Sequence, residues 1–355
     1  MTSETGPFAS SFDIDGRQVG NGSPTYVIAE IGANHDRDKD RTKRLIDAAA
    51  AAGADAVKFQ TLDYDELFHD PTTDDDVAEL YDRIELPEAW YGELQECAAD
   101  AGVTFFSSPT YPDGVELLAD HGVPLYKVAS AQVVSDPSLV RRIAAQGEPV
   151  VLSTGLGGYG HIETALQTCL DAGNSNVAVL HCISEYPTDP EAAQLRRIER
   201  LREAFDTVVG FSDHTESTHI PAASVALGAE IVEKHITLDR DSEGPDHHYA
   251  REPDEFATMV EGIREVEQSL GSGVKLAASA DETWLRDHVQ LKLVTDTRVE
   301  AGTPLAEDHV TFRRSPEGIP REYLSELVGN VRFVRDLDGG SLITWDRLTT
   351  TDDSA

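Results

Sequence analysis

Short apolar runs recur along most of the chain, each followed by a stretch with helical spacing of its apolar positions. The runs are TYVIAEIGAN, DAVKFQT, TFFSSP, LYKVAS, PVVLST, VAVLHCIS, VVGF and AEIVEKHI. Between them stand segments such as KDRTKRLIDAAAAAG, PEAWYGELQECAADAG, DGVELLADHG, DPSLVRRIAAQG, HIETALQTCLDAG and EAAQLRRIERLREAF. EPDEFATMVEGIREVEQSLG closes the series with a further helix. The runs are continuous rather than alternating, as parallel strands covered on both faces should be. About eight strand–helix units predict an α/β fold of the (β/α)8, TIM-barrel kind. A doubly wound sheet is the structural alternative. It usually brings a Gly-rich turn after its first strand, and none is present.

The texture changes at both ends. The first two dozen residues, polar and rich in Gly, Ser and Pro, predict a disordered start or a short hairpin around Gly16. A long acidic insertion runs from about Leu62 to Glu85. After Gly273, KLAASADETWLRDH reads as a linker with a helical piece, and short β-type runs with turn chemistry follow. The expected organisation is a barrel domain over residues 1–275 with its core at 25–272. A linker at 276–288 and a small β-rich domain at 289–350 complete it.

Charge narrows the function. The 355 residues carry 65 Asp and Glu against 29 Lys and Arg, a formal net charge of -36. Phosphate backbones and anionic lipid both demand basic surfaces, so this excess argues against a partner nucleic acid or membrane. It is dispersed as well as gathered in runs such as Asp74 to Asp76, which suggests a halophilic surface kept hydrated in high salt. The plainer alternative is an acidic enzyme of the ordinary kind. Cys97, Cys169 and Cys182 show no disulfide or metal spacing. Cys97 and Cys169 fall in helix patterns, and Cys182 beside His181 is a weak functional candidate. No signal peptide or bilayer-spanning run appears, so a cytoplasmic location is the expectation.

In a parallel barrel the strand ends share one face, and that face carries the chemistry. The eight ends present Glu30, Asn34 and His35; Lys58 and Gln60; Ser107 and Ser108; Lys127, Ser130 and Gln132; Ser153 and Thr154; His181, Ser184 and Tyr186; Ser212, Asp213 and His214; Lys234 and His235. His214 and His235 end two neighbouring strands, where two imidazoles can share one divalent metal. A lysine is almost never buried unpaired. Lys58 and Lys127 among serines therefore point to an anion pocket, most naturally for phosphate, rather than to two solvated or carboxylate-paired lysines. Glu30 is equally well a general base or the partner of a lysine.

IAEIGANH, VKFQT, YKVAS, LSTGL, LHCISEYPT, GFSDHT, VEKHIT and GPD occur in the order seen in the sialic acid synthase family, which the chain resembles from about Tyr26 to Leu348. That family includes N-acetylneuraminate, legionaminate and pseudaminate synthases, and the C-terminal part resembles their antifreeze-like (SAF) domain. The resemblance implies a transferase-type enzyme that condenses phosphoenolpyruvate with an N-acetylated hexosamine and releases phosphate. It implies that Lys58, Ser108, Lys127, Ser130, Ser153, Ser184 and Ser212 hold phosphoenolpyruvate. His214 and His235 would bind a divalent metal, Mn2+ or else Mg2+ or Co2+, with Glu30 as acid/base group. Gln60, Gln132, Tyr186 and Asp246 would face the sugar. Arg314, in TFRRSPEG, would reach a sugar site from the C-terminal domain, as in a domain-swapped homodimer. Gln132 stands where the family commonly has an acidic residue, and Ser184 where several members have Asn, which leaves the identity of the sugar open. Another phosphoenolpyruvate-dependent keto-acid synthase is a second enzyme reading, and a non-catalytic sugar-binding barrel is a third.

A charge of -36 repels itself at low ionic strength. Thermal unfolding in dilute buffer and in molar KCl should therefore give the higher midpoint in salt. The reverse order would contradict salt adaptation.

Overall fold

The computed structural model describes residues 6–69, 75–271, 273–274 and 277–351. The first five residues of the expected disordered start, part of the acidic insertion with Asp74, and the Lys275–Leu276 junction lie outside the described residues. The chain divides into two compact units, 1–271 and 272–355.

In the first unit, β3 (Tyr26–Glu30), β4 (Ala56–Thr61), β5 (Thr104–Pro109), β6 (Tyr126–Val128), β7 (Val150–Ser153), β8 (Val177–Cys182), β9 (Val208–Asp213) and β10 (Ile231–His235) form a closed barrel in chain order. Every neighbouring pair is parallel, including β10 against β3 at the closure. Alternate side chains divide the barrel into two cores. Val27, Val57, Val128, Leu152, Val179, Val209 and Val232 face outward onto the helices. Ile28, Ala56, Phe106, Val151, Ala178, Leu180, Val208 and Ile231 fill the interior. One interior position needs glycine for space. A Cβ at Gly210 would lie 2.4 Å from the Ile231 carbonyl oxygen and 2.5 Å from Leu180.

The helices are set by ordinary signals. Asp38 caps Lys39–Ala51 through the Arg41 amide, and Asp136 caps Pro137–Ala144 through Ser138 and Leu139. Gly102, at φ 78°, ends Tyr91–Ala101 in the left-handed conformation. Two departures from the sequence pattern matter. The fourth barrel strand, β6, runs only to Val128, and a short helix, Ser130–Ser135, starts where more strand was expected. His214 lies one residue beyond β9, so a loop, not the strand, carries it.

Upstream, β1 (Ser11–Ile14) and β2 (Arg17–Gly20) form an antiparallel hairpin that turns at Asp15 and Gly16. Its Phe12, Ile14 and Val19 pack in the interior core with Tyr26, Val208 and Ile231, at the end of the barrel where the strands begin. The hairpin is thus a plug.

The second unit holds a helix, Ala280–Val289, opened by a Ser279–Glu282 capping box, and two antiparallel pairs. β11 (Leu291–Thr295) pairs with β12 (Val310–Arg314), and β13 (Val331–Phe333) with β14 (Leu348–Thr350). Its own core includes Leu293, Val299, Leu305, Ile319, Phe333 and Ile343. Among the described residues no helix is long and apolar enough to cross a membrane.

One ion pair on the outer face bears on stability. Lys234 Nζ donates to Asp213 Oδ2 at 2.5 Å and to the Thr215 carbonyl, and both side chains are almost wholly buried. Removing one partner strands the other charge in a low-dielectric site. Asp213→Ala should cost about 3–5 kcal/mol in urea unfolding, the range for a broken buried pair. A loss below 1 kcal/mol would show the pair to be solvated.

Candidate active site

The interior alternation that packs the barrel also decides what its mouth presents. Moving up each strand, the inward positions change from Ile28, Ala56 and Phe106 to Glu30, Lys58 and Ser108. The same change on the other side reaches Lys127, Ser153, Cys182, Ser212, Glu233 and His235. The interior is therefore apolar below and charged above. A cavity of about 70 Å³ opens there, lined by Glu30, Lys58, Gln60, Lys127, Ala129, Ser130, Ser153, Cys182, Tyr186, Ser212, His214, Glu233 and His235. A larger cavity, about 800 Å³, lies by the N-terminal segment, and its arginine, Arg202, is already held by Glu230 and the Gly228 carbonyl. No comparable convergence of charge occurs there, so the smaller cavity is the chemical one.

Four buried charges form its floor. Lys58 Nζ stands 2.7 Å from Glu30 Oε2 and 3.7 Å from Glu233 Oε1. Lys127 donates to both oxygens of Glu233, at 2.7 and 2.9 Å. Gln60 Nε2 donates to Glu30 Oε1 at 2.9 Å, and Ser212 to Glu233 at 3.3 Å. Burial raises the Glu30 carboxyl above its ordinary range, more than the single close lysine lowers it. Glu233 is buried too, but Lys127 and Lys58 outweigh the burial and hold it at about 2. Glu233 and Glu30 in turn keep Lys58 protonated, raised against the effect of burial. The Oγ atoms of Ser108 and Ser153 are buried with no hydrogen-bond partner. Unsatisfied hydroxyls beside two lysines suit an anion with several oxygens.

The imidazoles of His214 and His235 lie above this floor, ring centroids 5.5 Å apart. Burial, then mutual repulsion in the case of His214, holds both at about 4, so both are neutral at neutral pH. His214 Nδ1 donates to the Ile183 carbonyl at 2.7 Å, which leaves Nε2 with its lone pair. His235 Nδ1 is buried without a hydrogen-bond partner and lies 3.6 Å from Asp246 Oδ2. Neutral imidazoles with lone pairs to spare fit a divalent cation. Among the described residues no three His, Cys, Asp or Glu side chains converge as a complete metal site. The pair would thus leave positions open to water or substrate, as catalytic sites do.

Tyr186 packs on His214, with centroids at 4.2 Å. Ser184 stands just behind Ser130: a Cβ on Gly155 would collide with both serine hydroxyls. Ser130 Oγ accepts from the Gly155 amide at 2.9 Å. Asp246 accepts from the Ala33 amide at 3.1 Å and from the Tyr249 hydroxyl at 2.7 Å. Gln132 lies on the Ser130–Ser135 helix and is not among the cavity-lining residues, and Arg314 is exposed at the end of β12 in the second unit.

Several side chains expected on this face point elsewhere. Lys234 and Asp213 face outward to each other, Ser107 bonds Thr61, and His181 stacks on Phe211 and bonds the Ala193 carbonyl. Asn34 is spent on the Ile236 carbonyl, His35 on that of Ile84, and Thr154 on that of Leu180. Glu233 is the residue that reading of strand ends missed. The signal was there: in IVEKH, His235 and Glu233 share a face while Lys234 takes the other. Tyr249, buried beside His235 at 4.9 Å between centroids, had no comparable signal.

The depressed histidines predict a pH effect. The unfolded chain takes up protons near 6.5, whereas native His214 and His235 resist them down to about 4. Stability from these groups is complete above 6.5 and is lost as pH falls towards 4. The urea midpoint of the wild type should therefore decline more steeply over this range than that of His214→Gln/His235→Gln. Parallel declines would show that these two sites do not titrate as described.

Residues 45–275 match the NeuB family model, and residues 293–349 match that of the SAF domain. An uncharacterized protein of Methanocaldococcus jannaschii is 38% identical over 94% of this chain and 98% of its own. The N,N'-diacetyllegionaminic acid synthase of Campylobacter jejuni is 33% identical over 86% of this chain and 95% of its own. The crystal structure of the N-acetylneuraminic acid (sialic acid) synthetase of Leptospira borgpetersenii superposes with a TM-score of 0.73 at 31% identity, over 79% of this chain and 97% of that one. Barrel and C-terminal domain thus agree with sequence similarity along nearly the whole chain, and the protein is a member of the NeuB family.

Proposed function

We propose that this chain is a nonulosonic acid synthase that joins phosphoenolpyruvate to an N-acetylated hexosamine and releases phosphate. The observation that supports it best is the charged floor: Lys58 and Lys127, with the unpartnered hydroxyls of Ser108 and Ser153, beside two neutral imidazoles. Phosphoenolpyruvate carries a phosphate and a carboxylate on adjacent groups, and two lysines set in a hydroxyl-rich pocket match that pair of anions. Ser130, Ser184 and Ser212 extend the hydroxyl set. Gln60, Tyr186 and Asp246 stand where a sugar above the floor would meet them.

His214 and His235 would hold a divalent cation, Mn2+ or a similar ion, which supplies Lewis-acid polarisation of the open-chain sugar aldehyde. The methylene carbon of phosphoenolpyruvate bonds to that aldehyde carbon as the C=O π pair moves to oxygen, and this oxygen becomes a hydroxyl with the proton that Glu30 takes from the attacking water and passes on. Water adds to the former enol carbon. The bond from that carbon to the phosphate oxygen then breaks, leaving the 2-keto acid and inorganic phosphate. Glu30, with its raised carboxyl beside Gln60, takes the proton of the attacking water. Lys58 and Lys127 balance the phosphate charge throughout, fixed in place before it develops. Glu233 stays ionised, keeps both lysines in place, and opposes the burial that lowers Lys127.

The legionaminic acid relative favours a second sugar class, a diacetamido-hexose, for the same chemistry. Phosphate release from phosphoenolpyruvate should be measured with N-acetylmannosamine, its 6-phosphate and a 2,4-diacetamido hexose, with Mn2+ present. One of these should support turnover, and none doing so would overturn the reading. His214→Ala and His235→Ala should each lower kcat at least 1,000-fold, about 4 kcal/mol of transition-state stabilisation, with the fold intact by circular dichroism. Full turnover of either variant in chelator would remove the metal from the proposal.

A further inference from the structure

Arg251 is a buried cation that the chemistry above does not use. Its residue is 3% exposed, and it lies outside the cavity. Its backbone continues the sheet past the end of β10: its amide donates to the His235 carbonyl at 2.9 Å, and its carbonyl accepts from the Thr237 amide at 3.0 Å. The guanidinium then reaches two loops at once. Nη1 donates to the Glu216 carbonyl at 2.6 Å, and Nη2 to the Tyr249 carbonyl at 3.0 Å. Its counter-charges are distant, Glu255 at 3.6 Å and Glu216 at 4.0 Å, so the short contacts are to backbone.

Those two loops carry the upper half of the site. Ladder pairing of β9 with β10 ends at Asp213–Lys234, so nothing in the sheet fixes His214. Its loop is held by the Thr188 amide on the His214 carbonyl, by Lys234 on the Thr215 carbonyl, and by Arg251 on the Glu216 carbonyl. The other loop bears Asp246 and Tyr249, which pack against His235. A planar guanidinium is suited to span two carbonyls because its donors diverge at fixed angles, and a single ammonium cannot copy that fork.

We propose that Arg251 is a positioning residue that sets the separation of the His214 and His235 imidazoles by clamping the 213–216 loop to the 246–249 loop. This rests on reading the two histidines as metal ligands. The full-length chain is tested as Arg251→Met, Arg251→Lys and, as control, Glu216→Gln. Calorimetry with MnCl2 alone reads the histidine pair, and phosphoenolpyruvate titration without metal reads the floor. Arg251→Met should weaken Mn2+ binding 10- to 100-fold, the range for residues that orient metal ligands, with phosphoenolpyruvate affinity within about twofold of wild type. Arg251→Lys should fall between Met and wild type. Glu216→Gln should bind Mn2+ as wild type does, since it keeps the carbonyl.

Unchanged Mn2+ affinity in a folded Arg251→Met variant overturns the proposal. Equal loss of both affinities also overturns it, because general loosening would then explain the effect. If Arg251→Met does not fold, Arg251→Lys decides, and wild-type Mn2+ affinity there removes the need for a fork. If the wild type itself takes up no Mn2+, the metal reading fails on its own account. The clamp is then judged by the ring separation in crystals of Arg251→Lys, where an unchanged 5.5 Å rejects it.

Discussion

The upper barrel depends on one constraint: four charges are buried together and must neutralise one another. Glu233 lies between Lys127 and Lys58, and Glu30 takes the other side of Lys58. Each isolated ion would cost several kcal/mol in such a place, and the set is tolerable only as a connected network. The two carboxylates are nevertheless unlike. Glu233, between two lysines, is locked as an anion, while Glu30, with one, is pushed towards protonation. A pair of acids driven apart by their surroundings is what proton transfer at neutral pH requires.

How far the sequence could be read follows from what each residue answers to. Barrel strands announce themselves because both faces are covered, so Val150–Ser153 and Val177–Cys182 are buried throughout and mostly apolar. Lys58 and Lys127 are legible because a charge inside an apolar run must have a reason to be there. Lys234 satisfies the same criterion yet answers to Asp213 on the outer face. The distinction lay in parity along the strand, which also would have recovered Glu233. Gln132 is different in kind. Its place depends on where β6 yields to helix at Ser130, and propensity does not locate that boundary. Tyr249 and Arg251 come from a loop whose path depends on contacts distant in sequence, with Glu216 and His235.

Two orders of rigidity result. The floor is built on strand residues whose backbone is held by ladder hydrogen bonds, and its ions fix one another. The imidazole level is half sheet and half loop: His235 sits on β10, whereas His214 depends on side chains that grip carbonyls of its loop. Change at the loops can therefore retune what binds above while the anion cradle stays as it is. Such separation suits a family whose named relatives make different acids.

The hairpin of β1 and β2 makes the two ends of the barrel unlike. Among the described residues, Phe12, Ile14 and Val19 close the end where the strands begin, while His214, His235 and Tyr186 line the cavity at the other end. A ligand held by Lys58 and Lys127 would therefore lie deeper in the barrel than one held at His214 and His235, nearer the apolar plug than the mouth.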